Sequence, residues 1–448
     1  MAATTTVSFS FSFFSTPFRS FRFQTPPSPH PTRLSITCHS SSPTSNDPLR
    51  VAFAGGGTGS NIYPAVAIAE ELKSLNPTGQ FLFLGAPNSV ESAAISSAGY
   101  DFASVPAPPD TNPFFFPHRF FNSLLQCLCH LRGFQPHVLV STGGYVSFPA
   151  CLAAKLRGTN VVIHEPNSVP GFSNTLLSPL ADAIFVAFNS TLDSFPRNKC
   201  FVCGNPVRFS VRNLVSKETA TCHFFPGLDC GGRVLLVLAG SYGANSVNIA
   251  MLNLYYQMLR RDSGLRIIWQ TGVEAFDEMD SLVKSHPRLY MTPFMHCMDL
   301  AYAAADLIVS RAGAMTCYEI LATGKPSILI PSPYFSEGNQ FRNASLMADL
   351  AGVTVITEDE LDSSTLAIAI EKILMLNIFK GKQAYSLSLV LMSKNNNTNG
   401  NNLKKMEDMS ERALKAANPN ASAEIAKHIL SLVNESTKKK RDGYRVES

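Results

Sequence analysis

One pattern occurs twice in this chain and limits its fold more than any other: a short apolar run, a glycine-rich loop, then a helix. It appears first in LRVAFAGGGTGSNIYPAVAIAEELKSL from Leu49, and again in RVLLVLAGSYGANSVNIAMLNL from Arg233. Apolar runs of this length bounded by glycine fit buried parallel strands, and parallel strands need helical crossovers between them. FLFLGAP, HVLVSTGGYVSFPACLAAKL, VVIHEPN, AIFVAF and CFVCGNPV continue the first half, and RIIWQTG, ADLIVSRAG and PSILIP continue the second. The sequence therefore predicts an α/β chain of two doubly wound domains facing each other across a cleft. The first domain is expected over 49–215 and the second over 232–376, with the boundary in the polar stretch 209–231.

The ends of the chain read differently. Residues 1–46 are rich in Ser, Thr, Phe and Pro, contain Arg19, Arg22 and Arg33, and lack Asp and Glu. That is the composition of an organelle transit peptide, and the Met-Ala start with Ile36-Thr37-Cys38 favours a chloroplast, with cleavage near Cys38. Subtracting those three arginines from the formal charge of +4 leaves +1, too little for a nucleic-acid surface. No stretch approaches eighteen uncharged apolar residues, so no spanning helix is expected. Residues 377–403 hold an Asn-rich, low-complexity insertion, with helices resuming over 404–435 and a solvated basic tail at 436–448. Ten cysteines are scattered. Cys200 and Cys203 would point to opposite faces of one strand, no metal site is completed, and the others read as buried thiols of a reducing compartment.

The chemistry concentrates in ADLIVSRAGAMTCYEILATGKPSILIP. It predicts a strand at Leu307–Ser310, a turn at Arg311–Gly313, a helix from Ala314 and a strand at Ser327–Ile330. A helix that starts at the carboxyl end of a parallel strand aims free N–H groups and a positive dipole end at the crevice, which suits phosphate. Glu319, one and a half turns in, could accept hydrogen bonds from two vicinal ribose hydroxyls. The first loop, Gly55 to Ser60, fits a dinucleotide fingerprint poorly: Ser60 takes the third glycine position and no acid ends the second strand. That argues against an NAD enzyme. Gly143-Gly144 and Gly240–Gly243 repeat the device of letting backbone amides approach a phosphate or sugar.

GGTGSNIYPAVAIAEEL, STGGYVSFPA, HEPNSVPGFSN, GNPVR, AGSYGAN and SRAGAMTCYEILATGKPSILIP stand in the order seen in the MurG family of bacterial N-acetylglucosaminyltransferases, within glycosyltransferase family 28. The chain resembles that family over about residues 50–375 and again from about 405. The resemblance implies the GT-B fold, two Rossmann-like domains, the second binding UDP-N-acetylglucosamine and the first meeting a membrane-bound, lipid-linked acceptor. It implies that Glu319 holds the ribose, that Ala314, Met315 and Thr316 bring amides near ribose and diphosphate, and that Ser241 contacts phosphate. Arg208 and Met295 would flank the uracil. Asn167, Asn339 and Gln340 would touch the sugar, Asn339 standing where the family usually has Gln. Thr58 and Gly59 go with the donor, and Gly57, Ser60, Gly143, Gly144 and Tyr145 with the loops around acceptor and diphosphate. No metal or other cofactor is implied, since helix N-termini and a cation can offset the leaving-group charge.

One departure bears on catalysis. The family has His where this chain has Asn61, and Asn takes no proton at neutral pH. The base is then His164 or Glu165 of HEPN, or catalysis is weakened; His164 reads equally as a core histidine. In TNPFFFPHRFFNSLLQCLCHLRGF the resemblance implies a membrane-facing patch around Phe115, Phe116, Arg119 and Phe120, the alternative being a core helix. The expected protein is a plastid enzyme of the stroma, peripheral on a membrane, moving N-acetylglucosamine from UDP to a polyprenyl-diphosphate-linked muramoyl peptide. A plastid transferase with another lipid acceptor, and a catalytically impaired UDP-sugar-binding protein, are the alternatives, and the oligomeric state is left open.

Overall fold

A computed structural model describes residues 48–56, 59–87, 92, 95–96, 98–106, 116–213, 215–333, 338–381 and 410–446. The leader 1–46, Gly57, Thr58, Phe115 and residues 382–409, which include most of the expected insertion, lie outside the described residues.

Seven parallel strands make the first sheet: β1 (Arg50–Ala54), β2 (Gln80–Gly85), β3 (Asp101–Ser104), β4 (Val138–Ser141), β5 (Asn160–Glu165), β6 (Ala183–Val186) and β7 (Cys200–Val202). Their order is β3-β2-β1-β4-β5-β6-β7. Six more make the second: β8 (Arg233–Leu238), β9 (Leu265–Gln270), β10 (Leu289–Thr292), β11 (Leu307–Ser310), β12 (Ser327–Leu329) and β13 (Thr354–Val355), ordered β10-β9-β8-β11-β12-β13. The strands β1, β4, β8 and β11 are buried on both faces because helices cover both, and this is why their sequences are continuous apolar runs. In each sheet the order reverses beside the first strand, between β1 and β4 and between β8 and β11. Those two switch points face one another.

The edge strands β3, β10 and β13 are absent from the sequence expectation. Their residues are only half-buried or exposed (DFAS, LYMT, TV), so no apolar run announces them. At the other end of the chain, the helix Ala421–Val446 continues through the expected basic tail, since nothing at 436–446 breaks a helix except Gly443. Ile425, Ala426 and Ile429 of this helix are fully buried with Val51, Phe53 and Phe185, so the helix packs back on the first domain.

Hydrogen bonds from Tyr318 and Ser168 are among those that tie the halves together near the cleft. Tyr318 Oη donates to the Ala187 carbonyl at 2.7 Å, and Ser168 gives both its N–H (3.1 Å) and its hydroxyl (2.7 Å) to Asn343 Oδ1. The cysteine expectation needs correction. Cys222 and Cys230 form a disulfide, and Cys129 is exposed rather than buried. The disulfide joins the last turn of the helix Lys217–Phe224 to the loop before β8, a proximity that spacing alone does not reveal. Cys200 and Cys203 do lie on opposite faces of the first sheet.

Candidate active site

The carboxyl ends of both sheets open into one cleft of about 790 Å³. Its second-domain wall begins with the loop after β8. The carbonyls of Ala239, Gly240, Ser241 and Tyr242 accept from Ala244 N, Gln270 Nε2, Val273 N and Glu274 N at 2.8–3.1 Å. Turning successive carbonyls outward turns the loop amides toward the cleft, which makes an anion-binding concavity. Gly272 is required there: a Cβ on it would lie 2.1 Å from the Gly243 nitrogen, and its φ is +89°. Ser241 lines the cleft in this loop.

The helix Ala314–Thr323 starts where the sequence predicts. Its N-cap Gly313 is extended and offers no side chain, so the first-turn amides keep their donors for a ligand. Ala314, Met315 and Thr316 all line the cleft. Beside them Arg311 reaches Glu358 Oε1 at 2.7 Å, Ser246 Oγ at 3.1 Å and the Ile330 carbonyl at 3.1 Å. Its charge is thus matched by Glu358, whose own pKa falls despite partial burial because Ser246 and Arg311 donate to it.

Glu319 is 4% exposed and sits deeper. Arg208 Nη2 donates to its Oε1 at 3.1 Å and Tyr302 Oη to its Oε2 at 2.9 Å. The Arg208 guanidinium also lies 4.5 Å from the Tyr63 ring centroid. Burial alone would lower the Arg208 pKa, but Glu319, Tyr63 and Tyr302 outweigh it and the guanidinium stays charged. Burial and the Glu319 carboxylate together push the Tyr302 phenol far up, so it is a donor at any ordinary pH. A carboxylate has about four lone-pair sites. Two remain for a ligand.

The first-domain wall is organised by close backbone approach. A Cβ on Gly144 would lie 2.1 Å from the Gly56 carbonyl oxygen, and Gly144 has φ +90°, so only glycine lets the β1 and β4 loops meet. Asn61, in the first turn of the helix Gly59–Leu75, donates from Nδ2 to the Gly56 carbonyl at 2.9 Å and lines the cleft beside Gly143. Tyr145 instead packs, partly buried, against the core of the sheet's other face. Ser60 begins the same helix as Asn61.

The two HEPN candidates part company here. Glu165 faces the cleft but is 1% exposed and accepts four hydrogen bonds, from Asn167 N (3.0 Å), Asn167 Nδ2 (3.2 Å), Gly171 N (2.9 Å) and Asn174 Nδ2 (2.8 Å). Burial raises its pKa and these donors hold it back. It fastens the loop. His164 alternates to the opposite face of β5 and is wholly buried outside the cleft lining, with no well-formed hydrogen bond at either ring nitrogen. Desolvation lowers its pKa to about 4, only partly offset by the nearby Gly204 backbone, so it is neutral at physiological pH. Asn167 lines the cleft beside Glu165, and Asn339 and Gln340 line it from the second domain; Gln340 Oε1 accepts from Ser332 N at 3.0 Å, while Asn339 Oδ1 is buried and unpartnered.

Residues 51–186 match the N-terminal domain of glycosyltransferase family 28, and residues 234–386 match its C-terminal domain. A protein of Bacillus cytotoxicus named UDP-N-acetylglucosamine–N-acetylmuramyl-(pentapeptide) pyrophosphoryl-undecaprenol N-acetylglucosamine transferase is 34% identical over 338 residues, 73% of this chain and 91% of that protein. The chain belongs to glycosyltransferase family 28. Within it the chain is of the MurG type: a protein of the same name from Flavobacterium psychrophilum is 33% identical over 386 residues, 85% of this chain and 97% of the other. Its fold matches the crystal structure of MurG from Acinetobacter baumannii with a TM-score of 0.57 and 23% identity, over 86% of this chain and 100% of that one. The two facing Rossmann-like domains are the GT-B fold.

Gln270 and Arg311 in the lining of this family 28 cleft, and Tyr302 and Asn343 behind it, escape a reading of the sequence. Each acts through a partner distant in the chain, such as Arg311 with Glu358 or Asn343 with Ser168, so no local spacing marks it. The helix Phe116–Phe134 lies on the first domain's flank. Phe120 is half-buried against the Phe148 ring at 5.5 Å, whereas Phe121 and Leu125 are 59% and 45% exposed. Arg119 is half-buried at its start. Among the described residues no helix is long and apolar enough to cross a membrane.

Proposed function

We propose that this chain is an inverting glycosyltransferase that moves N-acetylglucosamine from UDP to a lipid-linked N-acetylmuramoyl-pentapeptide. The observation that carries this reading is the second-domain wall, where Glu319, the uncapped helix at Ala314 and the amide-lined loop at 240–243 converge in one cleft. Glu319 accepts from the ribose hydroxyls while the helix N-terminus and loop amides hold the diphosphate. The acceptor hydroxyl oxygen bonds to the anomeric carbon as the bond to the β-phosphate oxygen breaks; UDP leaves with that electron pair and the hydroxyl proton passes to water. The negative charge that develops on UDP is met by dipoles already in place, which cost no reorganisation, and no metal is needed. The relatives' names support both substrates. The mature chain, incubated with radiolabelled UDP-N-acetylglucosamine and a lipid-linked muramoyl-pentapeptide analogue, should transfer label to the lipid product. Hydrolysis without transfer, or no reaction despite UDP binding, would remove this reading.

The composition of residues 1–46 supports placing the enzyme in a plastid. Its membrane contact is peripheral and uses the exposed rim of the helix Phe116–Phe134. Phe121 and Leu125 enter the lipid interface while Arg119 stays among headgroups. The mature protein should sediment with anionic vesicles and come off as salt rises. Phe121→Ser with Leu125→Ser should abolish sedimentation without touching the Phe120–Phe148 packing. Sedimentation that survives the double substitution would place the contact elsewhere.

A further inference from the structure

The end of β9 carries a residue that joins the two parts of the nucleotide wall. Register puts Gln270 level with Leu238 at the end of β8 and with Thr292 at the end of β10. It is therefore the one strand-end position flanked on one side by the loop 239–243 and on the other by the segment Phe294–Met295. Its side chain is 6% exposed, borders the cleft and uses both amide atoms. Nε2 donates to the Gly240 carbonyl at 3.1 Å, and Oε1 accepts from Met295 N at 3.1 Å. Gly240 has φ +91°, in a loop whose amides face the cleft, and among the described residues no backbone carbonyl accepts from the N–H of Gly240, Ser241 or Gly243.

We infer that Gln270 is a positioning residue for the donor nucleotide, fixing the phosphate-holding loop at a set distance from the segment that flanks the base. The inference rests on the UDP reading of this cleft and adds a residue to it. A primary amide offers a donor and an acceptor in one rigid plane. Glu in its place would turn an oxygen toward the Gly240 carbonyl, and Leu would engage neither partner. Asn, one methylene shorter, would span to one partner but not both. With the amide in place the loop is ordered before ligand arrives, so phosphate contacts are made without the cost of ordering it. The base-flanking segment gains less, because Met295 is 2% exposed and is also held within the core cluster that includes Met298 and Tyr302.

The distinguishing quantity is the ratio of UDP affinity to uridine affinity, which isolates what the diphosphate contributes. Calorimetric titration of both ligands into the mature chain and into Gln270→Leu should show that ratio falling roughly tenfold in the variant, as expected for one lost net hydrogen bond acting through the loop. A residue that merely fills space would weaken both ligands alike or lower the melting temperature alone. Should Gln270→Leu not fold, Gln270→Asn reads the same ratio and should lower it severalfold. A wild-type chain that binds UDP, with the ratio unchanged in a folded variant, would overturn the inference and leave the donor reading standing. A wild-type chain that binds no UDP would remove the donor reading and this inference with it.

Discussion

Glu319→Gln is expected to cost most of the affinity for UDP while leaving the fold intact. Hydrogen bonds to a charged acceptor contribute about 1.5–3 kcal/mol each. The amide keeps one oxygen for Arg208 or Tyr302 but presents an NH₂ group where a ribose hydroxyl would donate. At least one charge-assisted bond is lost, which lowers affinity roughly 10- to 150-fold. Glu319→Ala is a harsher test that mixes two effects. It removes both ribose bonds, and it takes from the Arg208 guanidinium, whose side chain is 14% exposed, the hydrogen-bond acceptor at 3.1 Å as well as the counter-charge that Gln already removes. Breaking one side of a buried pair costs about 3–5 kcal/mol of stability. Calorimetric titration with UDP, beside thermal unfolding of both variants, separates the two. Equal UDP affinity in wild type and Glu319→Gln would mean that the carboxylate serves only to hold Arg208.

That distinction marks what local sequence can and cannot reveal. The strand Leu307–Ser310 and the helix start at Ala314 are legible because the apolar run, the turn glycine and the helical residues are contiguous. The Arg208–Glu319 pair is not, since the partners are 111 residues apart and meet only when the second domain closes on the end of the first. The glycines were legible as loops but not as reasons: the requirement at Gly144 is the Gly56 carbonyl from another loop, and at Gly272 it is Gly243. Alternation along a strand could have separated the HEPN candidates. With Val162 facing the core that holds Phe53 and Phe185, His164 must follow it, and Glu165 is left to point at the cleft.

The placement of those two residues sharpens the expectation for Asn61. Glu165 is saturated by four donors that fix the loop, and His164 is neutral and turned away, so neither is a free proton acceptor in the cleft. Asn61 occupies the place where the family resemblance implies His, and its amide is spent on the Gly56 carbonyl at 2.9 Å. General-base assistance contributes roughly 10²–10⁴-fold in rate. Proximity and electrostatic stabilisation by an intact donor wall contribute more, so the wild-type chain should be slow rather than inert. Asn61→His should raise turnover by roughly 10²-fold or more if the imidazole replaces the missing base, with UDP affinity changed less than about twofold. The change leaves Glu319 and the 240–243 loop, which belong to the other domain, unaltered. Position 61 also sits close to Gly143, where a Cβ would come within 3.4 Å of Asn61 Oδ1, so the larger ring needs room in this turn. Ser60→Gly, made together with Asn61→His, restores the slimmer residue that the resemblance implies beside it. Rates measured at saturating donor decide the matter. A double variant that binds UDP but gives no transfer would point to a UDP-sugar-binding role for the chain. A wild type that already turns over as fast as the double variant would show that the acceptor proton leaves by a route independent of position 61.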